Sequence, residues 1–293
     1  MFTLSENIGV LSENAELRIG IKKEEECIVK KSLVLLALLV AALLVANAGA
    51  ANADDMRVRI GVSSGPHTEI AELVREIAAG KGLEIEIITF GDFILPNTAL
   101  ADGEIDVNSF QHLPYLQSMM ENRGYRLTPI GNTVLMPMAV YSRRIDSIDE
   151  LRDGATVGIP NDPSNGGRAL LLLATQGLIE LDPAAGVLPS VIDVTRNDRR
   201  LRFVELDAAL LPRALDDTDI AVINTNFAVE AGLVPARDSL ILESSESPYV
   251  NVIVVREGEE DRPEFRILVE SYQNDKVKNF VEERFGGAIV VGW

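Results

Sequence analysis

The chain has 293 residues, 47% of them apolar, and 45 acidic side chains against 27 basic ones give it a formal charge of −18. That length and apolar share support one large or two ordinary domains with a substantial core. An acidic chain without a basic run is a poor partner for nucleic acid or for an anionic lipid surface, so those function classes are set aside.

The N-terminus reads first as an address. Ser32–Ala46 is almost wholly apolar, Lys30-Lys31 precede it, and Ala48-Gly49-Ala50 and Ala51-Asn52-Ala53 follow it. A basic region, a short apolar core and an Ala-x-Ala end make a secretory signal peptide. The run of about 15 residues is short of the roughly 20 that a membrane-spanning helix needs. Residues 1–53 are therefore expected to be an N-terminal extension and signal peptide. The acidic segment ahead of the basic pair is unusual, and translation is expected to begin near Val29. The single cysteine, Cys27, lies before the apolar core, so the exported part has no disulfide or thiolate chemistry and no thiol for a lipid anchor. The expected location is extracytoplasmic or periplasmic.

From there strands and helices alternate. Val58–Ser63 reads as a buried strand. Ile70, Leu73, Val74 and Ile77 recur at helical spacing, which predicts a helix over His67–Ala79 that ends at Gly80 and Gly82. Glu84–Phe90 alternates as a half-buried strand, so a parallel strand–helix–strand unit is expected. Leu95–Ala101 reads as a short helix and Ile105–Val107 as a strand, with a helix after Phe110–Tyr115 running to about Asn122. Pro137–Ser142, Thr156–Ile159, Arg202–Leu206, Ile220–Ile223 and Val250–Arg256 read as further strands. Helices are expected at Ser147–Leu151, Ala208–Leu215, Asn226–Ala231, Arg262–Gln273 and Asp275–Phe285. The alternation argues for an α/β fold. Leu100–Val107 and Leu215–Val222 echo one another as helix end, acidic turn and strand. Two such units suggest two lobes that present loops to a shared cleft beyond the strand ends.

The most informative stretch is Pro160–Leu173, a strand–loop–helix segment with Asn, Asp and Ser at the helix start. Unpaired N–H groups and the dipole there favour an anion. Arg168 is expected at or near the first turn, where a cation is disfavoured, which suggests an incoming anion such as a carboxylate. A capped helix with a surface arginine is the plainer reading. Phe93, Phe110, His112 and Tyr115 suit an apolar pocket wall, or simply the core. Asn224 and Asn226 offer amides to an ammonium or a carboxylate, although Asn is also a turn residue. With only two histidines far apart, no metal site is expected, and no Gly-x-Ser-x-Gly elbow or other nucleophile–base pair marks an enzyme. The inventory fits a small zwitterion with an apolar side chain, and no cofactor.

Several motifs carry a resemblance. Gly65-Pro66-His67-x-Glu69-Ile70, Pro96–Glu104, Phe110-Gln111-His112-x-Pro114-Tyr115-Leu116, Ile159–Leu173 and Glu246–Asn251 resemble the methionine-binding lipoproteins of the NlpA/MetQ type across nearly all of residues 57–293. The resemblance implies a periplasmic-binding-protein-like fold: two α/β lobes joined by a hinge, with residues 57–140 plus 245–293 in the first and 141–244 in the second. It implies a receptor that delivers L-methionine to an ABC importer's permease and ATPase. It implies that Arg168 binds the carboxylate, that Asn224 holds the amino-acid backbone, that Phe110, His112 and Tyr115 surround the thioether, and that Asn165 lies in the binding loop. Two departures are visible: Phe93 stands where relatives often have Tyr, and the lipobox cysteine is missing. Another apolar amino acid, D-methionine or a methionine-containing dipeptide remain alternative ligands, and a secreted hydrolase using His112 is an alternative class.

Overall fold

The computed structural model describes residues 56–293. The extension and signal peptide expected over residues 1–53 lie outside them.

The first described segments build most of one sheet outward from β1. β1 (Met56–Ser63) buries Val58, Ile60 and Val62, and α1 (Pro66–Ala79) covers it with Ile70, Ala71, Val74 and Ala78. β2 (Leu83–Phe90) then pairs with β1 in parallel over their full lengths. α2 (Leu95–Ala101) leads to β3 (Val107–His112), which lies parallel to β1 on its other side. α3 (Leu113–Arg123) starts directly at the end of β3 and closes at Gly124, which adopts the left-handed conformation. β4 (Leu127–Leu135) completes this run, and the chain then crosses to a second sheet.

The second sheet holds β5 (Ala139–Tyr141), β6 (Thr156–Pro160), β9 (Arg202–Leu206), β10 (Ile220–Ile223) and β11 (Ile241–Leu242). α4 (Pro163–Thr175) follows β6, and a small ribbon of β7 (Glu180–Leu181) and β8 (Val194–Arg196) precedes β9. α5 (Leu211–Ala214) precedes β10, with α6 (Thr225–Glu230) and α7 (Pro235–Asp238) after it. The chain returns to the first sheet as β12 (Val250–Arg256), α8 (Pro263–Tyr272), α9 (Asp275–Phe285) and β13 (Val290–Val291). The strand orders are β13-β4-β12-β3-β1-β2 and β11-β5-β10-β6-β9. Each sheet has its own core, one around Val58, Ile60, Val74 and Phe265, the other around Val157, Ile159, Leu170 and Val222. Each buried Leu, Ile or Val in them contributes about 1.5–3 kcal/mol over exposure.

Four local readings change. The strand expected at Ile105–Val107 runs from Val107 to His112, so Phe110 and His112 lie on it rather than after it. It pairs with β1 on one side and β12 on the other, and every one of its residues is buried despite four polar side chains. β4 is a strand that the sequence conceals, because Pro129, Gly131 and Asn132 interrupt its pattern; shifts of its register against β12 accommodate them. Ala208–Leu215 splits into a 3₁₀ turn (Ala208–Leu210) and α5. Finally, α4 begins at Pro163, with the Asp162 carboxylate capping it by accepting the Asn165 N–H at 2.8 Å. Arg168 is therefore the sixth helical residue, beyond the first turn, and the dipole argument for an anion partner does not apply to it.

Candidate functional site

The loops at the carboxyl ends of the parallel strands of both sheets meet around one cavity, with about 350 Å³ of space not filled by atoms. β1 leads to His67 at the start of α1, and β2 to Phe93. β3 itself presents Phe110 and His112, and α3 adds Tyr115. From the second sheet, β6 leads to Asn165 and Arg168 on α4, and β10 leads to Asn224, Thr225 and Asn226. All seven residues expected from the sequence, Phe93, Phe110, His112, Tyr115, Asn165, Arg168 and Asn224, line this one space. Ser64 Oγ donates to Glu230 Oε2 at 2.5 Å, joining the segment after β1 to α6.

Asn165 organises the polar wall. Its Nδ2 donates to both Asp162 carboxylate oxygens, at 3.2 and 3.0 Å, which fixes the amide orientation. Its Oδ1 then accepts from Asn224 Nδ2 at 2.8 Å and meets His112 Nε2 at 3.1 Å. His112 Nδ1 accepts the Tyr115 backbone N–H at 3.2 Å as the cap of α3, so the ring proton sits on Nε2 and points at Asn165. Burial, assisted by the Arg168 charge, lowers the His112 pKa to about 3, and burial alone does the same to His67. Both rings are neutral at physiological pH.

Two amide atoms in this wall have no partner among the described residues: Asn224 Oδ1 and Asn226 Nδ2. Each is buried, and leaving such an atom unsatisfied costs about 1–3 kcal/mol. One is an acceptor and the other a donor, which is the pair needed to meet an ammonium and a carboxylate.

Arg168 is 3% exposed and already has an anion. Its Nε donates to Glu243 Oε1 at 3.0 Å, and its Nη2 donates to Glu243 Oε2 and to the Met136 carbonyl, the latter at 3.0 Å. Its Cζ lies 4.3 Å from the centroid of the Tyr249 ring. The forked edge expected to grip an external carboxylate is thus held by the protein. Nη1 keeps its donors free of protein partners among the described residues. Glu243 carries no signal in sequence, because the pair spans 75 residues and Glu243 belongs to no local motif. Asn226 was visible as half of an Asn-Thr-Asn run after a strand. His67 and Asn251, which also line the cavity, stood within quoted motifs without a role.

The apolar wall centres on Phe93. Its ring lies 6.0 Å from Phe110, 6.0 Å from Tyr115 and 4.8 Å from Phe227 of α6, so it bridges side chains from both sheets. Tyr115 Oη donates to the Phe93 carbonyl at 2.7 Å and is committed there; burial pushes its pKa up. The buried amides of Asn97, Asn108 and Gln111 satisfy one another, which holds β3 against α2. Two glycines bring α4 close: a Cβ on Gly166 would lie 2.8 Å from the Pro160 carbonyl oxygen, and one on Gly167 would lie 3.0 Å from that of Pro189. Among the described residues no cluster of three or more His, Cys, Asp or Glu is placed to hold a metal, and no helix is long and apolar enough to cross a membrane.

Known proteins share this architecture. The chain is 46% identical over 252 residues to the D-methionine-binding lipoprotein MetQ of Escherichia coli K12, covering 85% of this chain and 93% of that protein. The structure of a nutrient-binding protein from Burkholderia cenocepacia bound to methionine is 44% identical with a TM-score of 0.79, covering 80% of this chain and all of that one. A periplasmic substrate-binding protein of an ABC transporter from Coxiella burnetii is 43% identical with a TM-score of 0.78 over the same shares. Residues 58–293 match the NlpA lipoprotein family along their whole length, and the chain belongs to that family.

Proposed function

We propose that this protein is an extracytoplasmic receptor that binds one methionine in the cavity between its sheets and hands it to the permease and ATPase of an ABC importer. The observation that carries the reading is the pair of orphaned amide atoms, Asn224 Oδ1 and Asn226 Nδ2, in a cavity that also holds Arg168 and an aromatic wall. In this reading the ammonium donates to Asn224 Oδ1, and the carboxylate accepts from Arg168 Nη1 and Asn226 Nδ2. The thioether packs against Phe93, Phe110 and Tyr115, where each sulfur–aromatic contact contributes about 0.3–1.5 kcal/mol. Asn165 and His112 order the wall and are themselves satisfied. The names borne by the Escherichia coli and Burkholderia relatives support methionine as the ligand class.

The two sheets would be the cores of two lobes. The chain crosses between them at Met136–Met138 and Glu243–Tyr249, and these segments would form the hinge. Methionine would favour the closed arrangement because it contacts side chains from both lobes, and the importer would read that form.

Receptor rather than hydrolase is supported by His112: one ring nitrogen accepts from a backbone N–H and the other meets Asn165, leaving neither free as a general base. The relatives are named lipoproteins, whereas residues 28–293 of this chain contain no cysteine. An exported but non-lipidated protein is the corresponding reading, with Ser32–Ala53 as signal core and cleavage region. Mass spectrometry of the exported form checks it: an unmodified N-terminus near Asp54 is expected, and an acylated chain would refute it.

A thermal-shift panel on ligand-stripped protein tests the ligand. L-Methionine should raise Tm by several degrees, with leucine weaker and aspartate without effect; a larger shift from D-methionine or glycyl-methionine would reassign the natural ligand.

A further inference from the structure

The geometry points to Glu243 as the residue that sets the charge selectivity of the cavity, by positioning and neutralising Arg168 so that only a ligand of zero net charge is accommodated. This rests on the methionine-receptor reading and goes beyond it, because Glu243 does not line the cavity and acts through the arginine.

Arg168 is tied to both chain crossings. Its Nη2 donates to Met136, in one chain crossing between the sheets, and its fork grips Glu243, at the start of the other. Glu243 Oε2 also accepts the Met138 N–H at 2.9 Å, and the Glu243 N–H donates to the Met138 carbonyl at 2.9 Å. Tyr249, further along the second crossing, stacks on the guanidinium. Arg168 is thus held rigidly from the connections between the two sheets, with Nη1 as the nitrogen left for a ligand. With the Nε/Nη2 edge on Glu243 and the second Nη2 proton on the Met136 carbonyl, neither edge of the guanidinium can take a second carboxylate in two parallel bonds.

The charge balance follows. Among the residues lining the cavity, His67 and His112 are neutral and Tyr115 keeps its proton, so Arg168 supplies the one formal charge. The Glu243 side chain, 11% exposed, cancels it. Three further carboxylates act on the cavity wall at Tyr115, and each is turned onto backbone N–H groups: Asp162 onto Asn165 at the N-terminus of α4, Asp92 onto Ile94 and Leu95, and Asp207 onto Ala209. A methionine zwitterion therefore enters a neutral site and leaves it neutral. A ligand that lacks the ammonium brings an uncompensated negative charge into a desolvated space, which is costly.

The test compares L-methionine with 2-hydroxy-4-(methylthio)butanoate, which has the same skeleton with a hydroxyl in place of the ammonium. Affinities are measured by calorimetry on the ligand-stripped full chain, its Glu243→Gln variant and its Glu243→Asp variant. The wild type should prefer methionine by about a hundredfold or more. Glu243→Gln frees the arginine charge, so that preference should shrink by at least about tenfold, and Glu243→Asp should restore it. A folded Glu243→Gln variant with the wild-type preference overturns the proposal. If that variant does not fold, the wild type decides: equal affinity for the two ligands overturns it, and strong preference together with its retention in Glu243→Asp supports it. A wild type that binds neither ligand overturns the receptor reading instead.

Discussion

Asn224 has two jobs that one amide performs at once. Its Nδ2 donates to Asn165, which holds the side chain in place, and its Oδ1 is left without a protein partner. A merely structural asparagine would be satisfied at both ends, so the free acceptor is where binding should be sensitive. Asn224→Ala removes the acceptor and the Asn165 contact together, and a loss of about 10- to 100-fold in methionine affinity is expected, read by calorimetry. Arg168→Ala should cost more, because it removes a ligand donor and also leaves the largely buried Glu243 carboxylate without its cation. Methionine binding should fall beneath detection, and the melting temperature should fall too. A variant that keeps its full affinity would remove Arg168 from the site. Legibility at this scale divides sharply. Phe93, Phe110, His112, Tyr115, Asn165, Arg168 and Asn224 could be read because they cluster where strands give way to helices, the region in which α/β proteins present ligand groups. Glu243 could not, because its meaning lies in a partner 75 residues away.

At the scale of elements, α4 carries the most consequence. Asp162 caps it, Pro163 opens it, and Gly166-Gly167 let it lie against the Pro160 and Pro189 carbonyls. Those glycines looked like loop residues in sequence; their purpose is close approach within a helix, which fixes where Asn165 and Arg168 point. Gly166→Ala would place a Cβ 2.8 Å from a backbone oxygen that cannot rotate away. A destabilisation of about 1–3 kcal/mol is expected in urea unfolding, with weaker methionine binding in the variant that remains folded. An unchanged denaturation midpoint would show that α4 can shift freely. α1 and β2 were legible because their apolar residues repeat at 3.6 and 2 positions, respectively. β3 was not, since a strand flanked on both sides can bury Asn108, Ser109, Gln111 and His112 as long as each finds partners, and periodicity then carries no signal.

The whole molecule joins two cores through two short crossings, and both histidines sit between them. Each has a folded pKa of about 3 against an ordinary 6.5. As pH falls below 6.5 the unfolded chain takes up these protons and the folded chain does not, so stability is complete above that value and is lost progressively towards pH 3. The slope from each histidine approaches about 1.4 kcal/mol per pH unit in that window. Chemical denaturation from pH 7 to 4 should show this steep loss. Replacing His67 with Gln should flatten it, and an unaltered slope would mean that His67 titrates normally in the folded state. Methionine binding itself should be flat from pH 6.5 to 8, since neither ring changes charge there. The echo between Leu100–Val107 and Leu215–Val222, read as a sign of two lobes, leads into strands of different sheets, β3 and β10, although β3 begins only at Val107. The pairing of β4 and β13 at the edge of the first sheet was hidden, because a two-residue strand and a Pro- and Gly-broken strand have no pattern of their own.

The measurement that bears most directly on the central claim is calorimetric titration of the refolded, ligand-free full chain with L-methionine, run beside the Arg168→Ala variant. Saturable binding with one methionine per folded chain is expected, and none in the variant. Absence of binding to a verified folded wild-type sample, or equal binding by the variant, would contradict it.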